Sequence, residues 1–238
     1  MTTLADTRHI VWDWNGTIFS DNHAVVAAVN SVCESYGRAP ITLEEWRTIF
    51  SRPLLACYER LLGRSLAQDD WAWIDRTYHE VYRDLLPTCA LADGVPEVLR
   101  QWRTAGGSQS LLSMWFHHEL VPMVSEFGLD ELFGRVDGLR AEIGGGPKAE
   151  HLDKHLAELG VDPRETVVIG DVVDDAEAAA HAGARCVLVT TGVMSRPALE
   201  ATGAPVADSI REAVSWLRPQ QQDEPSAAGN GGRSRAAG

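Results

Sequence analysis

The chain has 238 residues, 45% hydrophobic and 23% charged, with a formal net charge of −13. That length suits one large domain or a core with a smaller insert, in an ordinary globular composition. The acidic balance argues against a nucleic-acid partner, no apolar run approaches a membrane span, and no secretory pattern opens the chain, so a cytoplasmic location is expected.

The first element, Ile10-Val11-Trp12, is a short apolar, β-prone run. It stops at Asp13, and the turn dipeptide Asn15-Gly16 follows. A carboxylate at such a junction sits at the carboxyl edge of a sheet, where open α/β sheets bind ligands. Asp21 to Gly37 then carries Val25, Val26, Val29, Val32 and Cys33 at helical spacing, with Gly37 suited to the helix end. Thr42-x-x-Glu45 is a capping-box pattern opening a helix over Leu43 to Phe50. Pro53 opens another over Leu54 to Leu62, closed by Gly63. Asp69 to Leu86 reads as a longer amphipathic helix with Trp73, Thr77 and Val81 on one side. Nothing between Ser20 and Pro87 alternates as a strand, so residues 20–88 are expected to form an all-helical insert.

The first pattern restarts at Asp93-Gly94-Val95-Pro96, which caps a helix through Trp102. A strand over Ser108 to Ser113, a helix around His118 to Phe127 and a weak strand at Arg135 to Leu139 follow. Gly144-Gly145-Gly146-Pro147 forms a loop opening the helix Lys148 to Leu159. Thr166 to Ile169 is an apolar strand ending in Gly170-Asp171, and Asp175 to Ala182 is an alanine-rich helix. Arg185 to Val189, an edge strand at Pro205 to Ala207 and a helix at Ile210 to Leu217 complete the pattern. This alternation predicts a Rossmann-like parallel sheet with helices on both faces. The expected organisation is a core of residues 1–19 and 89–218, a helical cap at 20–88, and a disordered tail at 219–238 with almost no apolar bulk.

Some signals leave the role of a residue open. Trp46, Trp71 and Trp73 could stack on a substrate ring or belong to the core of the insert, and Trp73 is read as core. Arg52 could reach a substrate's distal anion or remain solvated. His151 and His155, one helical turn apart, read as exposed helix residues rather than a metal pair. Cys33, Cys57, Cys89 and Cys186 form no Cys-x-x-Cys pair and read as reduced thiols.

Asp13, Ser113 and Asp171 each end an apolar strand, and Lys148 opens the helix before the third. All four therefore face one rim of the sheet. Asp13, Asp171 and Asp175 form an oxygen-rich set suited to Mg²⁺. Ser113 offers a hydroxyl and Lys148 a positive charge, a pair able to hold phosphoryl oxygens. Only two lysines occur, Lys148 and Lys154, which makes this placement informative.

Asp13-Trp14-Asn15-Gly16-Thr17, Ser113, Lys148 and Gly170-Asp171-x-x-x-Asp175 resemble, in order and spacing, the four motifs of the haloacid dehalogenase (HAD) superfamily. The insert resembles that family's C1 cap, which closes over the site and selects substrates. The resemblance implies a Mg²⁺-dependent phosphatase acting on a small phosphorylated metabolite through a phosphorylated Asp13. Ser113 and Lys148 would steady the phosphoryl group with Gly16 and Thr17. Asp171 and the Asn15 carbonyl would bind the metal, and Asp175 would bind it through water or hold Lys148.

Family phosphatases usually carry an aspartate where this chain has Asn15. An amide neither gives nor takes a proton at neutral pH, and losing a general acid–base group typically costs ~10² to 10⁴ in rate. The expectation is an atypical, slowed phosphatase, with His23, His117 or His118 as substitutes for the acid. A phosphotransferase with a long-lived phosphoaspartate and a degenerate binding or regulatory protein are the alternatives. The family's phosphonatase branch needs a cap lysine for a Schiff base, and residues 18–92 contain none.

Overall fold

The computed structural model describes residues 4–140 and 147–217. The loop expected at Gly144 to Gly146 and the tail expected at 219–238 lie outside these residues. Strand β1 (His9–Trp12) is buried along its whole length. It sends Ile10 and Trp12 into the larger core cluster and Val11 into a second cluster with Leu112 and Val168. A strand buried on both faces is the centre of a parallel sheet. It lies between β4 (Ser108–Phe116) and β6 (Thr166–Gly170), with Trp12 in register with Leu111 on one side and Ile169 on the other.

With β5 (Val136–Leu139), β7 (Arg185–Val189) and β8 (Val206–Ala207), the sheet has the order β5-β4-β1-β6-β7-β8 and is parallel throughout. The connecting helices are α5 (Val95–Thr104), α6 (His117–Glu126), α7 (Lys148–Leu159), α8 (Val173–Ala182), α9 (Arg196–Glu200) and α10 (Ile210–Ser215). The expected Rossmann-like fold class is the one observed.

Between β1 and α5 the chain builds α1 (Asn22–Ser35), α2 (Leu43–Ile49), α3 (Leu54–Leu62) and α4 (Gln68–Leu85). Thr42 and Glu45 form the predicted capping box. These helices bury their own cluster around Val29, Val32, Trp46, Tyr58, Leu61 and Ile74. The insert joins the core through a two-stranded antiparallel ribbon, β2 (Phe19–Ser20) with β3 (Ala90–Leu91). Strands this short carry no periodicity, so the sequence does not announce them.

Along α4, Ile74 and Tyr82 are fully buried, while Trp73 and Val81 of the predicted side are partly buried and pack against the core clusters. Two local expectations are corrected. Strand β4 runs past Ser113 to Phe116, with a register shift against β5 between Leu112 and Phe116. His155 is buried rather than exposed, because its two ring nitrogens bond Asp137 Oδ2 and Ser110 Oγ, each at 2.8 Å. The four cysteines are free, and among the described residues no helix is long and apolar enough to cross a membrane.

Candidate active site

Asp13 directly follows β1, and its backbone N–H donates to the Ile169 carbonyl at 2.9 Å, which ties the turn to the end of β6. The helix α7 starts at Lys148 and brings the ammonium back to the same rim. Lys148 Nζ lies 2.5 Å from Asp13 Oδ1 and 2.6 Å from Asp175 Oδ1. All three side chains are buried. Burial pulls the Lys148 ammonium toward neutrality, but Asp13 and Asp175 outweigh it and hold the charge. Burial, with Asp175 adding to it, pushes the Asp13 carboxyl up to about 6 against the pull of Lys148.

Asp13, Asp171 and Asp175 each offer one oxygen within 4.8 Å of the others. Asp171 is the least compensated of the three. Burial, then Asp13, Asp175 and Asp21, drive its carboxyl well up, and among the described residues it accepts from Thr17 Oγ1 and Val193 N–H, both at 3.3 Å. Three buried carboxylates with one lysine leave a surplus of negative charge that a hard divalent cation neutralises. The donor set, all oxygen and few in number, fits an ion of the magnesium type.

Backbone without side chains makes room for this carboxylate. A Cβ on Gly16, whose φ is +71°, would lie 2.6 Å from Asp171 Oδ2, and one on Gly192 would overlap the same oxygen. Gly192 is held from above by the insert: Arg47 of α2 donates to its carbonyl through Nε at 2.9 Å and Nη2 at 2.8 Å. Nothing in the sequence marks Arg47, because the acceptors that tie it to the site are the backbone carbonyls of Gly192 and Thr190, 145 and 143 residues away.

Other predicted residues are engaged locally. Ser113 Oγ accepts from the Trp115 N–H at 3.0 Å and reaches Asn15 Oδ1 at 3.5 Å. Gly16 N–H donates to Asp21 Oδ1 at 3.0 Å. Arg52 pairs with Asp174 at 2.8 Å. His23 contacts Thr88 Oγ1 at 2.8 Å, and His117 Nδ1 accepts from the Gly138 N–H at 3.1 Å; neither is among the residues lining the site.

The expectation of an atypical hydrolase defined by an amide at its acid/base position is overturned. The acidic cluster is three aspartates, Asp13, Asp171 and Asp175, and Asn15 is no member of it. Its Nδ2 donates to Asp21 Oδ2 at 2.9 Å and to Tyr82 Oη at 2.8 Å. An uncharged amide next to a buried carboxylate serves as its hydrogen-bond donor.

Asp21 is the residue that sequence reasoning missed. It appeared as the start of a helix, yet its side chain makes no capping bond. It turns inward to accept from Tyr82 Oη at 2.6 Å, from Asn15 and from Gly16. Burial raises its carboxyl while these donors oppose the shift.

Above the cluster lies a cavity of about 240 Å³ between the sheet edge and the insert. Asp13, Asn15, Ser113, Lys148 and Asp171 line its floor, and residues of α1 to α4 line its roof.

A parallel sheet with a helical insert after its first strand, and an acid–lysine cluster at the strand ends, defines a hydrolase scaffold. The chain belongs to the haloacid dehalogenase-like hydrolases, whose family model matches residues 10–189. It is similar to a phosphoglycolate phosphatase of Synechococcus elongatus, 29% identical over 81% of this chain and 88% of the relative. It is also similar to one of Caulobacter vibrioides, 27% identical over 86% and 88%. A haloacid dehalogenase-like family hydrolase from Streptococcus pneumoniae shares the fold with a TM-score of 0.75 at 16% identity, covering 90% of this chain and 99% of that one.

Proposed function

We propose that the chain is a Mg²⁺-dependent phosphatase that hydrolyses a small phosphorylated metabolite through an aspartyl-phosphate on Asp13. The observation that carries this reading is Lys148 bridging Asp13 and Asp175 at the floor of the cavity between sheet edge and insert. A carboxylate buried beside a fixed ammonium is oriented and ready to attack a phosphorus atom. The curated relatives named above are phosphoglycolate phosphatases, which favours a small phosphate monoester.

Asp13, Asp171, Asp175 and the main-chain carbonyl of Asn15 are proposed to hold Mg²⁺. When bound, the ion supplies positive charge against the phosphoryl oxygens. Asp13 forms the new bond to phosphorus as the ester P–O bond breaks, and the leaving oxygen keeps that electron pair and takes a proton from solvent to become the alcohol. Lys148 donates to one phosphoryl oxygen, and Ser113 Oγ donates to another. Water then attacks the phosphorus of the phosphoaspartate, gives up a proton to solvent as the bond to Asp13 breaks, and releases phosphate and the free Asp13 carboxylate. Asp175 holds Lys148 in place throughout.

The test is turnover of acetyl phosphate with and without Mg²⁺, beside an Asp13→Asn variant. Release of phosphate that requires both the metal and Asp13 is expected. Equal release by the variant ends the proposal.

A further inference from the structure

The site cavity has the acid–lysine cluster on its floor and, at the insert end, aromatic side chains interspersed with Arg52, Asp75 and His79. Its roof and walls carry Trp46, Phe50, Tyr58, Trp71, Tyr78 and Trp115. Trp46 contacts Tyr58 with ring centroids 5.9 Å apart, and Tyr58 contacts Trp71 at 5.8 Å. These contacts are tilted or edge-on, not parallel stacks. Leu54 and Ile74 line the same cavity. The Tyr58 and Tyr78 hydroxyls are held protonated by burial, so this end of the cavity offers no negative oxygen from them.

The charges around the cavity speak against a second anion. Five carboxylates line it: Asp13, Asp21, Asp75, Asp171 and Asp174. Its cationic side chains already have acid partners. Lys148 sits between Asp13 and Asp175, and Arg52 pairs with Asp174 at 2.8 Å. His79 Nδ1 lies 2.8 Å from the Asp75 carbonyl and 3.4 Å from its carboxylate. A phosphoryl group brings its charge to Lys148 and the metal site. A carboxylate on the leaving group would enter the aromatic end with no unpaired lysine or arginine among the described lining residues to receive it, at the cost of desolvating a charge.

We propose that the leaving group is an uncharged, ring-bearing alcohol that stacks in the aromatic end of the cavity, so that the preferred substrate is a phosphate monoester of that class and not a phosphorylated hydroxy acid. This inference rests on the phosphatase reading for its chemistry. Its recognition element, a flat apolar group joined to a phosphoryl head, is separable from turnover. Aromatic contacts of this kind add affinity beyond buried area, and an unpaired buried carboxylate costs more than one such contact gains.

Binding of non-hydrolysable phosphonates to the full chain in Mg²⁺, measured by calorimetry, separates the two questions. Benzylphosphonate is expected to bind about tenfold or more tightly than phosphonoacetate. Trp71→Leu is expected to weaken benzylphosphonate about fivefold and phosphonoacetate less than twofold. Leu54→Arg, which adds a cation at the aromatic end, is expected to narrow the preference. Phosphonoacetate binding as tightly as benzylphosphonate overturns the proposal, and so does binding of neither. Preference for benzylphosphonate in a protein that turns over no phosphate, acetyl phosphate included, would remove the phosphatase reading and leave the ligand class standing.

Discussion

The side-chain amide of Asn15 donates to the buried carboxylate of Asp21 at 2.9 Å and to the Tyr82 hydroxyl of the insert at 2.8 Å, and that hydroxyl in turn donates to Asp21. The first turn of the core is thereby tied to the last cap helix through one acceptor. Asn15→Asp would place two carboxylates against each other in a site where burial already raises Asp21. We expect a loss of about 1–3 kcal/mol in metal-free buffer, which is several degrees in Tm for a chain of this size. The loss shrinks as pH falls, because one carboxyl takes up a proton. An unchanged Tm at pH 7.5 would contradict this account.

Lys148→Met removes the partner of two buried carboxylates. Breaking a buried ion pair from one side costs on the order of 3–5 kcal/mol, so Tm should fall by roughly 10 °C. Asp13 and Asp175 are then unpaired, and the defect is largest above neutral pH. Activity toward acetyl phosphate should fall by ~10² or more. A variant that retains both Tm and activity shows that the bridge seen in the structure has no energetic weight.

Asp171 faces other carboxylates with two long hydrogen bonds for support. Removing its charge should stabilise the metal-free protein and weaken its response to metal, a trade of stability for function. Thermal melts of Asp171→Asn are expected to start above wild type in EDTA and to rise less on adding Mg²⁺. Gly192→Ala should also blunt the metal response, since a Cβ there collides with Asp171. A full Mg²⁺ shift in both variants would place the metal elsewhere.

Beneath the sheet edge, His9 bonds Ser108 and Ser110, and Ser110 also bonds His155, which bonds Asp137. Burial, with His155 adding to it, lowers the His9 imidazole to about 4. Its folded value is below its unfolded one, so the stability it carries is complete above pH 6.5 and is lost as pH falls toward 4. The loss is on the order of 3 kcal/mol at the lower limit. Denaturant melts across this window should show His9→Gln with a shallower slope than wild type. Parallel slopes would remove His9 from the acid response.

The sequence by itself determined the fold class and the family. Apolar runs at regular spacing can be satisfied only by a covered parallel sheet, and four short polar motifs at their ends give the order of the chain. It also pointed to the capping box at Thr42 and Glu45, because that motif is local. What the tertiary structure decided depends on partners far apart in the chain. Asp21 reads as a helix cap until Tyr82 and Asn15 close around it. His155 reads as a surface residue until Ser110 and Asp137 meet its ring. Arg47 is one arginine among many until its guanidinium finds the Gly192 carbonyl. In sequence the tryptophans of the insert lean toward core, Trp73 above all, with ring binding left open for Trp46 and Trp71. Trp46 and Trp71 line the site cavity, and Trp73 packs on Tyr36 instead. Periodicity reports which face of an element is apolar, but only packing decides what that face meets.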